Sequence, residues 1–130
     1  MNPQIADLDE ATEYFQSLID VEKAYVAKLE IAIKGDNLAY FFRWNAIDMI
    51  GASYQAHEAA RYLTFINGPV DPTIAKEDRF KVIVDNVTEI VEKMEGIDPA
   101  RRSTSLASNL EEDYCASFYL KLHHKLKREF

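Results

Sequence analysis

The sequence has few residues that cross-link a chain or break helices: 130 residues contain one cysteine, four glycines and four prolines. Cys115 has no second thiol to pair with, so secretion is not implied and a reducing cytoplasm is the predicted compartment. The first residues lack the basic stretch and apolar run of a signal peptide. Apolar runs fall far short of the roughly 20 residues that a membrane-spanning helix needs, so no membrane association is predicted.

Recognisable catalytic and metal-binding motifs are also missing. No phosphate-binding glycine loop, dinucleotide fingerprint, nucleophile elbow, zinc-protease motif or paired cysteine motif occurs. A di-iron bundle needs Glu three residues before His on two helices, and His57, His123 and His124 all lack it. Cys115 and His124 are separated by more than two helical turns, which favours a small buried thiol over a nucleophile. We therefore predict no enzyme activity, metal or cofactor.

The charge balance is acidic, with 22 Asp and Glu against 15 Lys and Arg and a formal net charge of −7. An acidic surface is repelled by phosphate backbones, so nucleic acid is not a predicted partner. Acidic residues could instead steer a basic protein partner towards the chain, or could simply keep the protein soluble.

What the chain does contain is apolar residues spaced by three and four, the pattern of an amphipathic helix. Four such segments are joined by short turns, which favours antiparallel neighbours. The sequence predicts an all-α, up-down antiparallel four-helix bundle in a single domain of residues 1–130. Its helices are predicted over roughly 8–34, 37–66, 72–95 and from 99 or 105 to 128.

Polar residues at the segment ends suggest how the first two helices begin and end. Asp7 and Glu10 have capping-box spacing, in which each side chain satisfies a free backbone N–H of the other. Gly35 is predicted to end the first helix in the left-handed conformation that glycine tolerates. Asp36 is then predicted to cap the second helix.

The starts of the other two helices are less well defined. Asp71, followed by Pro72, is the predicted start of the third helix, because proline costs nothing in a first turn. Three residues could begin the fourth helix: Asp98, Ser105 and Ser108. Val87 lies in the apolar seam of the third helix, so Val87→Asp is expected to unfold the domain.

The second helix carries apolar residues over more of its circumference than one bundle seam requires. Tyr, Trp and Phe are enriched in interface cores, so the excess predicts a docking surface. The alternative is that these large rings fill a wide core. The predicted interface residues are Tyr40, Trp44, Ile47, Tyr54, Tyr62 and Phe65. Glu58 is in phase with this stripe and could hold a cation or pair with Arg61 or Arg43.

The last turns of the fourth helix are basic, and the bundle topology places them beside the acidic start of the first helix. Mutual electrostatic support with the helix dipoles is one interpretation, and a small anion site is the other. The basic residues are Lys121, His123, His124, Lys125, Lys127 and Arg128. Their acidic neighbours would be Asp7, Asp9, Glu10 and Glu13.

Together these patterns predict a non-enzymatic protein–protein interaction module of the inhibitor, immunity or adaptor kind. It would form a homo-oligomer, most simply a dimer, or dock on a protein partner through the second helix. The alternative function is a bundle that binds a small molecule or nucleotide between helices or at an oligomer interface. Possible anion or ligand contacts are Arg43, Arg61, Arg101 and Arg102.

Overall fold

A computed structural model of the chain describes residues 4–68, 74, 76–95 and 106–126. These residues form four helices and no strand beyond an isolated bridge between Ile5 and Leu126. The helices are α1 (Leu8–Lys34), α2 (Leu38–Asn67), α3 (Lys76–Glu95) and α4 (Leu106–Lys125). The predicted all-α four-helix bundle is therefore confirmed.

Contacts between the helices show how the chain reverses direction. The Arg79 guanidinium near the start of α3 donates a 2.6 Å hydrogen bond to the Ile66 carbonyl at the end of α2. The Tyr114 hydroxyl of α4 donates to the Ile47 carbonyl in the first half of α2 at 3.2 Å. Thus α3 runs antiparallel to α2 and α4 runs parallel to it, so the helix directions alternate along the chain. Of these two helices, α4 packs more closely against α2.

The core lies where all four helices meet, towards the start of α1 and the end of α2. The Phe15 and Tyr62 rings stack there with their centroids 5.2 Å apart. The largest fully buried side chains are Phe15, Phe118, Ile83, Leu122 and Val87. Val87 is 0% exposed, which confirms its predicted place in the seam of the third helix.

The α1–α2 hairpin is longer than the other two helices, with 27 and 30 residues against 20 in each of α3 and α4. Towards the turn that joins α1 to α2, Ala32 and Phe41 are buried. Many large apolar side chains in that part of the hairpin remain exposed. They include Ile31, Ile33, Leu38, Tyr40, Phe42, Trp44, Ile47 and Ile50.

Asp7 caps α1 as predicted, with one of the two bonds of a capping box, but the turn that follows the helix differs from the prediction. Asp7 Oδ1 accepts a 2.8 Å hydrogen bond from the Glu10 backbone N–H. Gly35 has φ −91°, and the left-handed residue is Asp36 with φ 58°. The Asn37 N–H then donates to the Ala32 carbonyl at 2.9 Å, the long-range bond of a Schellman-type ending.

Gly35 is the C-cap of α1, so the predicted end of the helix is confirmed. The predicted left-handed conformation of Gly35 and the predicted capping of α2 by Asp36 are wrong. The bond from Asn37 requires a left-handed residue one position after the helix cap, and Asp36 stands there instead of a glycine. Asp is among the residues that tolerate this conformation. The N-cap of α2 is Asn37, with no side-chain cap hydrogen bond, so Asp36 does not cap α2.

The remaining boundaries differ from prediction by a few residues. Ile74 lies in a bend, so α3 begins at Lys76 and not at residue 72. Ser108 lies inside α4 and does not cap it, and α4 ends at Lys125 before Leu126 pairs with Ile5. The proposed starts at Asp71, Asp98 and Ser105 lie outside the described residues, as do residues 127–130.

Candidate functional site

The fourth helix divides the aromatic stripe of α2 into a covered half and an uncovered half. The Tyr114 ring lies against Gly51 so closely that a Cβ added there would be 2.5 Å from its Cε1 atom. The same ring stacks on Tyr54, with 6.1 Å between centroids. Glycine at position 51 thus lets the aromatic ring of α4 approach the backbone of α2, and α4 covers the stripe from that point on.

The uncovered half consists of Tyr40, Trp44 and Ile47, which we call the hairpin stripe. Their exposed fractions are 67%, 61% and 68%. The Tyr40 and Trp44 rings are in contact, with centroids 6.4 Å apart. The Arg43 guanidinium lies 5.4 Å from the Trp44 ring centroid, a cation–π geometry. Three large apolar side chains therefore face solvent along one side of α2.

The covered half of the stripe lies partly in the core and partly at the edge of the core. Tyr62 is only 8% exposed, so its predicted place in a docking surface is wrong. Phe65 is half-buried against the core cluster, and Tyr54 is half-buried beneath Tyr114. The helical spacing of residues predicts the same environment for every residue of a stripe. A neighbouring helix buries only the residues that it reaches, so one stripe can be part buried and part exposed.

A polar network links α2, α3 and α4 beside this covered half. The Tyr119 hydroxyl donates a 2.6 Å hydrogen bond to Glu58 Oε2, and the Arg61 Nη1 lies 3.4 Å from the same oxygen. The Tyr62 hydroxyl donates to Asn86 Oδ1 at 2.6 Å. The predicted pairing of Glu58 with Arg61 is thereby confirmed.

Burial keeps the two phenols of this network protonated to higher pH than an exposed tyrosine. Burial is the largest cause that raises the pKa of Tyr62 to about 12. Burial and then the hydrogen bond to Glu58 raise the pKa of Tyr119 above its ordinary value of 10.0. Both hydroxyls are therefore neutral at neutral pH, and they act as hydrogen-bond donors and not as bases.

A cleft of about 310 Å³ opens next to this network, between α2, α3 and α4. Its walls are mostly apolar, and its polar groups come from an arginine, an asparagine and the two tyrosines of the network. The lining residues are Arg61, Tyr62, Phe65, Val82, Ile83, Asn86, Ile90 and Tyr119. Cleft and network together form the candidate ligand site, and the hairpin stripe forms a separate candidate docking surface.

The sequence pattern indicates Glu58 and Arg61 but not Asn86 and Tyr119. Glu58 was detectable because it falls in phase with aromatic neighbours and has an arginine three residues later. Asn86 is 24 residues from its partner Tyr62, and Tyr119 is 61 residues from Glu58. No local sequence pattern predicts such contacts, because helix packing decides which residues meet when they are far apart in the chain.

The predicted arginine contacts do not form one site. Arg61 lines the cleft, whereas Arg43 lies next to Trp44, beside the hairpin stripe. Arg101 and Arg102 lie outside the described residues.

The basic end of α4 does lie beside the acidic start of α1, as predicted. The Ile5 N–H donates to the Lys125 carbonyl at 2.8 Å. The Lys125 Nζ lies 5.8 Å from the Tyr14 ring centroid, and Glu10 and Glu13 line the same recess.

Among the described residues, no group of three or more His, Cys, Asp and Glu side chains could hold a metal ion. Within the same residues, no helix combines the length and apolar character that crossing a bilayer requires. No protein-family model, curated protein or solved structure matches this chain.

Proposed function

We propose that this protein is a non-enzymatic interaction module that self-associates through the hairpin stripe. The observation that carries the proposal is the run Tyr40, Trp44 and Ile47, each more than 60% exposed on one side of α2. Exposed apolar side chains scattered singly are normal, but a contiguous apolar patch marks an interaction site. Trp and Tyr are also the residues that dominate interface energetics.

The surroundings of the stripe favour a second copy of the chain as its partner. Two-fold dimers use the same patch on both subunits, and an apolar patch is complementary to itself without matched charges. Ile31, which is 71% exposed, lines a shallow recess together with Tyr40 and enlarges the apolar area beside the stripe. Self-association there would remove from water four large apolar side chains that the described part of the fold leaves exposed: Ile31, Tyr40, Trp44 and Ile47.

Salt dependence distinguishes this mode from charge-driven docking. Each copy carries a formal net charge of −7, so two copies repel each other at long range. Salt screens that repulsion and leaves apolar contact intact. Self-association through the stripe should therefore strengthen or stay constant as salt is added, whereas docking of a basic partner on acidic residues should weaken.

The test compares Trp44→Arg with a matched control, Leu120→Arg. Leu120 is 49% exposed on α4, so the control places the same charge on another exposed apolar position. Native mass spectrometry and sedimentation velocity over a concentration series should show a dimer for the wild type and the control, and a monomer for Trp44→Arg. Circular dichroism should show near-wild-type helicity for both variants.

Fluorescence gives an independent readout, because Trp44 is the single tryptophan. Its emission should shift to shorter wavelength as the protein concentration rises and the indole leaves water. A wild-type chain that stays monomeric with an exposed indole at every concentration would contradict the proposal. Unfolding of Trp44→Arg would do so too, because it would make Trp44 a core residue.

A further inference from the structure

We infer that the cleft between α2, α3 and α4 binds a small amphipathic monocarboxylate, with its apolar part between the helices and its carboxylate at Arg61 and Asn86. This site is separate from the hairpin stripe and does not depend on self-association.

The walls of the cleft select an apolar molecule. Phe65, Val82, Ile83 and Ile90 supply aliphatic and aromatic surface from α2 and α3. A volume of about 310 Å³ is at the lower end of the range of about 300–1,000 Å³ that small-molecule sites occupy. It therefore suits a short chain or a single ring and is too small for a nucleotide triphosphate or a long lipid.

The polar groups of the cleft favour a ligand that accepts hydrogen bonds. The Tyr62 hydroxyl donates to Asn86 Oδ1, which leaves the Asn86 amide nitrogen as the donor of that side chain. The proton of Tyr119 is directed to Glu58. Arg61 carries only donors, so the cleft offers donors from two side chains that lie on neighbouring helices.

Arg61 has the freedom to bind an anion. Its side chain is 68% exposed, and its contact with Glu58 is long, at 3.4 Å. A guanidinium can keep one N–H near Glu58 and offer others to a ligand carboxylate, an arrangement that strengthens hydrogen bonds through charge.

The charge of Glu58 limits the ligand to a single negative charge. Glu58 is 8% exposed and lies behind Tyr119, outside the lining of the cleft, so it does not contact the ligand. Its field nevertheless opposes a dianion such as a phosphate monoester. A cationic ligand would meet Arg61 at the mouth of the cleft, which disfavours an ammonium group.

The test uses three probes with the same eight-carbon chain: octanoate, octanol and octylamine. Binding to the full chain is followed by amide chemical shifts in NMR titrations. We expect saturable shifts around residues 61–65, 82–90 and 119, with octanoate about tenfold tighter than octanol, the ratio that 1.4 kcal/mol of charge-assisted bonding gives. Octylamine should bind no better than octanol.

Three variants localise the carboxylate. Arg61→Met keeps an apolar stem and should weaken octanoate about tenfold while leaving octanol unchanged. Arg43→Met removes the same charge from the hairpin stripe and should change neither. Val82→Trp places a large ring at the 36%-exposed edge of the cleft and should abolish binding of both probes. It also tests the site if Arg61→Met does not fold.

Several results would overturn the inference. Equal affinity of octanoate and octanol, or an unchanged octanoate affinity in folded Arg61→Met, would remove the carboxylate from the site. Absence of saturable shifts would show that the cleft binds none of the probes. Shifts confined to the Trp44 indole would place binding on the hairpin stripe, whether or not the chain self-associates.

Discussion

The Tyr119 hydroxyl on α4 donates a 2.6 Å hydrogen bond to Oε2 of Glu58 on α2. Among the residues that the structure describes, Glu58 is the one charged residue that is buried. A buried carboxylate is costly unless donors replace the water that it loses. Tyr119 supplies one such donor and Arg61 a second, longer contact. The bond from Tyr62 to Asn86 then links α2 to α3, so the three helices that form the cleft are held in register by polar contacts.

Removal of the Tyr119 hydroxyl should destabilise the fold more than neutralisation of its partner. Tyr119→Phe leaves the Glu58 carboxylate without its short hydrogen bond and should lower the free energy of unfolding by about 1–3 kcal/mol. Glu58→Gln retains an oxygen that accepts from Tyr119, so a smaller loss is expected. Urea denaturation measures both, with Tyr25→Phe as the control, because Tyr25 lies outside the core cluster and the hairpin stripe. Equal stability of Tyr119→Phe and Tyr25→Phe would show that the bond contributes nothing.

The same tyrosines should make the fold sensitive to alkali. Their pKa values are raised in the folded chain, that of Tyr62 from 10.0 to about 12, so the unfolded chain loses these protons first. The stabilisation is complete below pH 10.0 and is lost as the pH rises towards 12. The free energy of unfolding, measured against pH, should fall over this window. In the Tyr62→Phe/Tyr119→Phe variant, a fall as steep as that of the wild type would assign the effect to other groups.

The sequence was sufficient to predict the helices, because the spacing of apolar residues is a property of each segment by itself. Phe15, Val87, Phe118 and Leu122 follow the spacing of three and four by which the helices are predicted, and all four are buried. The environment of the α2 stripe was not predictable in the same way. Position 51 decides it, because α4 approaches there, and the sequence shows a glycine in a helix without showing which ring will lie against it.

Two valines on α3 should respond very differently to the same substitution. Val87→Asp places an unpaired carboxylate at a position with 0% exposure and should unfold the chain, because no donor or cation compensates it. Val82→Asp, at 36% exposure on the cleft wall, should leave the helicity near that of the wild type. Circular dichroism with thermal melting compares them. A folded Val87→Asp chain would contradict the observed core.

Gly51→Ala should reveal the contact between α2 and Tyr114. In an unobstructed helix, alanine is better than glycine by about 1 kcal/mol. Here the new methyl group would be 2.5 Å from the Tyr114 ring and must displace it from Tyr54 and from the Ile47 carbonyl. We expect Gly51→Ala to destabilise the wild type but to stabilise a Tyr114→Ala background. Urea denaturation of the wild type, the two single variants and the double variant gives the coupling free energy between positions 51 and 114. If Gly51→Ala changes the free energy of unfolding with the same sign in both backgrounds, the Tyr114 ring does not oppose the methyl group.

Two substitutions in the turn between α1 and α2 test whether its left-handed residue is Asp36 or Gly35. Asp36, at φ 58°, pays roughly 1 kcal/mol for a conformation that glycine adopts freely. Asp36→Gly should therefore raise the free energy of unfolding by about 0.5–1 kcal/mol. Gly35 has φ −91°, so Gly35→Ala should change stability by less than about 0.5 kcal/mol. Urea denaturation measures both, and a costly Gly35→Ala with a neutral Asp36→Gly would return the left-handed position to Gly35.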